Sequence, residues 1–219
     1  MDRGQGKDGA APDAHAVSRM LFFSDAVFAI VLTLLVLDLR LPVVEGDAAL
    51  AVALRDLTPK FVAFAASFAL VSIFWAAHMA ITRRLRFFDW TAAWLNLLFL
   101  FTIAIMPFVS SLLGEYGNNG LAWRLYCAAL VAASLSQSAL FLSLARDKGR
   151  LLGGITLRET AWRFLRALSP GIAFGTGLWL SLIGEPGLSR FCWVLIPAML
   201  VLARLLFGPT GAAQTPPDA

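Results

Sequence analysis

The sequence predicts an all-α integral membrane protein, a six-helix bundle, and three observations carry that expectation. Hydrophobic residues make up 59% of the 219 and charged residues only 15%, with a mean hydropathy of +0.75. Soluble domains are roughly 45 to 50% apolar. Uncharged runs cover Phe61–Thr82, Trp90–Gly114, Leu125–Ala145 and Ala167–Gly184, each reaching the roughly 18 residues that a spanning helix needs. The basic residues also alternate in density from one connection to the next, as the positive-inside rule requires.

The first span is expected at 20–42, an apolar run that holds Asp25 and Asp38 and stops at Pro42, a residue that cannot continue a helix. It is too long for the about 7 to 15 residue core of a signal peptide and lacks a small-residue cleavage site, so it reads as a membrane helix. Glu45–Thr58 reads as a short external segment with a helical turn around Leu50, Leu54 and Leu57. Spans two and three, 59–82 and 90–113, are joined by the basic turn Arg83–Asp89. The turn-rich Gly114–Gly120 leads into span four, 121–145. The connection 146–166 is basic and contains Trp162. It reads equally well as an amphipathic helix on the inner leaflet or as a solvated loop. Spans five and six are expected at 167–184 and 188–207, with the stems of Arg190 and Arg204 reaching the interfaces. Residues 1–16 and 208–219 read as disordered cytoplasmic tails.

The charge is +4, yet its distribution describes topology and no nucleic-acid partner. With a cytoplasmic N-terminus, 13 of the 18 Lys and Arg fall on that side, including Arg19, Arg83, Arg84, Arg86, Arg146, Lys148, Arg150 and Arg204. The other side keeps Arg40, Arg55, Lys60, Arg124 and Arg190. Both termini are therefore expected in the cytoplasm of a multi-pass inner (plasma) membrane protein. An enzyme is not expected. The only histidines are His15 and His78, and there is no zinc-protease helix, phosphate loop or nucleophile elbow. Cys127 and Cys192 lie in predicted spans without metal-ligand spacing and read as buried small residues. No cofactor is implied.

Polar groups inside spans need partners, because an intramembrane carboxylate costs roughly 2.5 to 3.5 kcal/mol on insertion scales. Asp25 heads span one, and Trp75 and His78 share one face of span two at the depth expected for Arg19 and Asp25. The four groups offer complementary donors and acceptors, so they are expected to meet. For His78 a structural hydrogen bond and a proton relay are both open. Gly171-x-x-x-Gly175 reads as close helix packing, and Trp90, Trp123 and Trp193 as interfacial aromatics.

Arg19-x-x-x-Phe23-Ser24-Asp25 at the head of the first span, with Trp75 and His78 in span two and Asn96 and Pro107 in span three, resembles the signature of the transmembrane-protein-175 family of potassium channels. The resemblance covers roughly residues 17 to 113; beyond them only span count and topology match. It implies that the first helix lines the pore without a Thr-Val-Gly-Tyr-Gly filter, and this chain has no such sequence. Pore-facing positions would be Ile30, Thr33, Leu34, Leu37 and Leu41, spaced 3, 4, 7 and 11 from Ile30 and so on one helical stripe. At about 100° per residue Asp25 lies on the order of 130° from that stripe. Arg19, Phe23, Ser24, Asp25, Trp75, His78 and Asn96 would then form the signature and its interhelical network, anchoring the pore helix.

Thr33 has two compatible readings, a back-bond to the Ala29 carbonyl and, as the resemblance implies, a transient contact with a permeating potassium ion. A single signature per chain implies a homotetramer with the first helices around a central pore. The expected function is a potassium-preferring cation channel with apolar constrictions at Ile30 and Leu37. The alternatives are a proton-coupled or small-solute transporter using Asp25 and His78, and a non-conducting scaffold.

Overall fold

The computed structural model describes residues 10–83, 85, 89–149 and 156–207. Nine α-helices lie among the described residues: α1 Ala10–Leu34, α2 Asp47–Asp56, α3 Thr58–Thr82, α4 Trp90–Ala104, α5 Met106–Glu115, α6 Gly120–Gly149, α7 Leu157–Leu182, α8 Pro186–Ser189 and α9 Leu195–Phe207. The expected tail 208–219 lies outside the described residues.

Three expected boundaries differ. Helix α1 is described from Ala10, so the part of the expected tail from Ala10 to Ala16 is helical. At its other end the α-helix stops at Leu34 and tightens into a 3₁₀ turn, Leu35–Asp38. Leu41 is therefore outside any helix, and the expected stripe is helical only as far as Leu37. The exposed carbonyls are met locally: Leu39 N–H donates to the Val36 carbonyl at 3.0 Å and Arg40 Nε to that of Leu37 at 3.1 Å. Finally, residues 157–166 are neither a separate interfacial helix nor a loop. They form the first turns of α7, capped by the Thr156 side chain, which accepts from Glu159 N–H.

Among the described residues four segments are long and apolar enough to cross a bilayer: His15–Asp38, Thr58–Thr82, Trp90–Glu115 and Gly120–Arg146. The expected fifth span, within the 26-residue α7, dilutes its apolar residues with Ser169, Pro170, Gly171, Gly175, Thr176 and Gly177. The sixth corresponds to a shorter apolar helix, Cys192–Leu206. Span three is two helices in line, broken at Ile105 because Pro107 has no N–H to give the Ile103 carbonyl.

Side-chain bonds mark the two ends of the bundle. At one end Ser111 Oγ donates to Asp38 Oδ1 at 2.8 Å, Lys60 pairs with Glu115, and Arg190 Nη2 donates to the Gly117 carbonyl at 2.9 Å. At the other, Arg163 Nη1 donates to the Ala80 carbonyl near the C-terminus of α3. Between them Phe28, Val31, Phe74, Phe99, Ile103 and Leu130 pack one core.

Helices α6 and α7 meet around a disturbed turn. Pro170 cannot donate to the Arg166 carbonyl, so Ser169 Oγ does, at 3.0 Å. One residue on, Ser134 Oγ of α6 accepts from Gly171 N–H at 3.0 Å and donates to the Ala167 carbonyl at 2.7 Å, joining through a hydroxyl two groups that a regular helix bonds directly. A Cβ on Gly171 would lie 2.7 Å from that oxygen, whereas one on Gly175 would meet only Val131 Cγ2 at 3.8 Å. Gly171 is thus the tight half of the small-residue pair. Gly171→Ala should cost about 1 to 3 kcal/mol of stability and Gly175→Ala almost nothing. Thermal unfolding of the two variants in detergent checks this, and equal losses would reject the assignment.

Candidate functional site

The buried face of α1 carries Val17, Ser24, Phe28 and Val31, and Leu35 of the 3₁₀ turn continues it, steps of seven, four, three and four that follow the helical period. Around this stripe the signature residues divide into two separate hydrogen-bonded groups, Ser24–Asn96–His78 and Asp25–Trp75, rather than one cluster. Asn96 is fully buried on α4. Its Nδ2 donates to Ser24 Oγ at 3.0 Å, and its Oδ1 lies 2.9 Å from His78 Nε2. Because the amide oxygen only accepts, the network assigns the proton to His78 Nε2. Ser24 Oγ in turn donates to the Met20 carbonyl at 3.0 Å. The chain of donors therefore runs from α3 through α4 to α1 and ends on a backbone carbonyl, not on a titratable group. The imidazole is stacked on Phe99, with ring centres 5.6 Å apart, and tilted against Phe28.

Asp25 stands on the flank of α1. Its Oδ1 accepts from Trp75 Nε1 at 2.9 Å while the carboxylate stays exposed within the single chain. A cavity of about 340 Å³ opens beside it, reached also by His78, Thr82 and Arg83.

Two expected members are outside this arrangement. Arg19 is exposed and makes no ion pair or hydrogen bond among the described residues, so the expected meeting of Arg19 with Asp25, Trp75 and His78 does not occur. Helical phase explains it: Arg19 is about three turns before Ile30 and shares that residue's face. Phe23 is 52% exposed and lies on the same side.

Ile30, Leu34 and Leu37 are 57, 43 and 56% exposed, opposite the buried stripe. In the 3₁₀ turn side chains three apart eclipse, so Leu37 stands directly over Leu34. Thr33 Oγ1 donates to the carbonyls of Ala29 and Ile30, at 3.1 and 2.8 Å. The back-bond expected from the sequence is present. Its lone pairs stay free on the exposed face.

The sequence reading gave no role to the bond at the far end of α1. Asp38 is held by Ser111 of α5, and the signal was available: a carboxylate in an apolar run needs a donor. Gln137 of α6 is likewise a buried polar group that needs a partner. Its Nε2 donates to the Phe74 carbonyl at 2.9 Å, tying α6 to α3.

The described Trp90–Glu115 segment and the helices before it coincide with a family match: residues 19–107 fit the family described as the endosomal/lysosomal potassium channel TMEM175. A protein of Chamaesiphon minutus called a potassium channel is 32% identical over 202 residues, covering 88% of this chain and 94% of its own length. One of Streptomyces collinus, also called a potassium channel, is 34% identical over 132 residues, and the match spans 58% of this chain and 64% of that relative. The crystal structure of a lysosomal potassium-selective channel TMEM175 homolog from Chamaesiphon minutus superposes with a TM-score of 0.65 at 26% identity, over 91% of this chain and all of that one. With a near full-length relative at this identity, a matching fold and the signature residues bonded across three helices, the chain is a multi-pass membrane protein that belongs to the TMEM175 family.

Proposed function

We propose that the chain is a potassium-preferring cation channel of the inner (plasma) membrane, passive and without a carbonyl filter loop, that works as a homotetramer with both termini in the cytoplasm. The observation that carries the reading is the two-sidedness of α1. One face is fixed to α3 and α4 through Ser24 and Asp25, and the opposite apolar face, Ile30 to Leu37, has no cover within the chain. A single helix cannot enclose an ion path, so four copies place these faces around an axis. Ile30 and Leu37 then form apolar rings that conduct only when wetted, and Thr33 offers hydroxyl oxygens to an ion that has shed part of its water. The two bacterial relatives described above are both called potassium channels, which supports the same reading, and family membership places the chain among channels rather than enzymes. The donor chain ending at the Met20 carbonyl speaks against a proton relay between His78 and Asp25.

Purified protein in liposomes should pass potassium down its gradient in resolvable single-channel steps, with a reversal potential that favours potassium over sodium. Exchange that occurs only with coupled proton movement would overturn the proposal. Mass measurement in detergent should give four chains per particle.

A further inference from the structure

A groove of about 680 Å³ follows α3 from Thr58 to Ile73, between that helix and the last turns of the chain. This stretch of helix rises about 22 Å, and the groove beside it is long and lined almost wholly by apolar side chains, a shape and chemistry that suit a hydrocarbon chain. The chemistry is sorted along its length. Val62, Ala66 and Leu70 form one wall, and Trp193 and Ile196 the other, with Val62 and Trp193 exposed so that the groove opens sideways to the bilayer. The polar groups gather at the end where the α5–α6 turn meets α8, as Asn118 and Arg190.

Arg190 gives one nitrogen to the Gly117 carbonyl, which leaves further N–H donors of its guanidinium uncommitted. No carboxylate pairs with it among the described residues. Lys60, the cation nearest this end of α3, is by contrast paired with Glu115. An unpaired guanidinium at interface depth, above an apolar channel that points into the membrane, complements a molecule with an anionic head and a long apolar tail. We propose that the groove holds one phospholipid from the leaflet at the Asp38 end, with an acyl chain along α3 and the phosphodiester on Arg190 and Asn118. The charged head accounts for the guanidinium, and the tail for the length and dryness of the groove. The inference is independent of what the protein conducts, because binding is read from mass and not from current.

Native mass spectrometry of the delipidated full-length protein, titrated with phosphatidylglycerol, tests it. The wild type should retain one lipid per chain. Arg190→Gln should weaken retention about tenfold, or about 1.4 kcal/mol, and Ala66→Trp, which places a large ring in the groove, should reduce it to background. Diacylglycerol, with tails and no phosphate, should bind the wild type as poorly as phosphatidylglycerol binds Arg190→Gln. Equal retention of the two lipids, or retention unaffected by either substitution in variants that elute as the wild-type assembly, would overturn the proposal. Failure of the wild type to retain lipid, with Ala66→Trp breaking the assembly instead, would overturn it in favour of a second copy as the occupant.

Discussion

Asn96→Leu should lower the stability of the assembled protein by about 2 kcal/mol and its thermal midpoint by roughly 4 to 8 °C, because it strands the His78 Nε2–H in an apolar core. Ser24 is spared, since its hydroxyl keeps the Met20 carbonyl. The damage should be conditional on the histidine. His78→Phe removes the orphaned donor while preserving a ring against Phe99, so the double variant should recover most of the loss, a coupling that a double-mutant cycle measures directly. Additive losses would show that the bond contributes nothing and that Asn96 matters only by its volume. Interhelical bonds in membrane proteins average nearer 0.6 kcal/mol. The larger figure is expected here because Asn96 is fully buried and bonds to two other helices.

Ile30→Asn should raise potassium conductance roughly tenfold, equivalent to about 1.4 kcal/mol off the barrier. In the proposed pore an amide in place of each isoleucine lets water remain where the apolar ring would otherwise dry. The effect should appear as larger single-channel steps, not as more open channels, and Phe22→Asn should not reproduce it. Unchanged step size in a normally assembled Ile30→Asn channel would place that residue against lipid and remove the carrying observation of the proposed function. Stability should change little, since Ile30 is more than half exposed within the chain.

The sequence made the bundle legible where hydrophobicity is uninterrupted and obscured it where the backbone departs from an ideal helix. Thr58–Thr82 and Gly120–Arg146 are uninterrupted helices apolar enough to cross a bilayer, and nothing within them competes with the ladder. Composition could not locate the stop at Leu34, because the change to 3₁₀ geometry is decided by which donors reach the last carbonyls, here Leu39 and Arg40. Nor did it show that Pro170 could sit inside α7, a position made tolerable by Ser169 from its own helix and beside which Ser134 enters from another. In the site, spacing placed Trp75 and His78 on one face but could not say which would take Asp25. Charge alone favours Arg19 beside Asp25, whereas helical phase puts it opposite the buried stripe of α1.

The Asp38–Ser111 bond has a mechanical meaning once it is set beside the bonds of Ser24 and Asp25. The stretch from Ser24 to Asp38, the last turns of α1 with the 3₁₀ turn that follows, is a beam clamped at both ends, at points about 20 Å apart, and its uncovered apolar residues lie between the clamps. A clamped beam neither turns about its own axis nor slides along it. Any widening at Ile30 must therefore come from side-chain rotation within the stripe, or from α3, α4 and α5 carrying the whole of α1 with them.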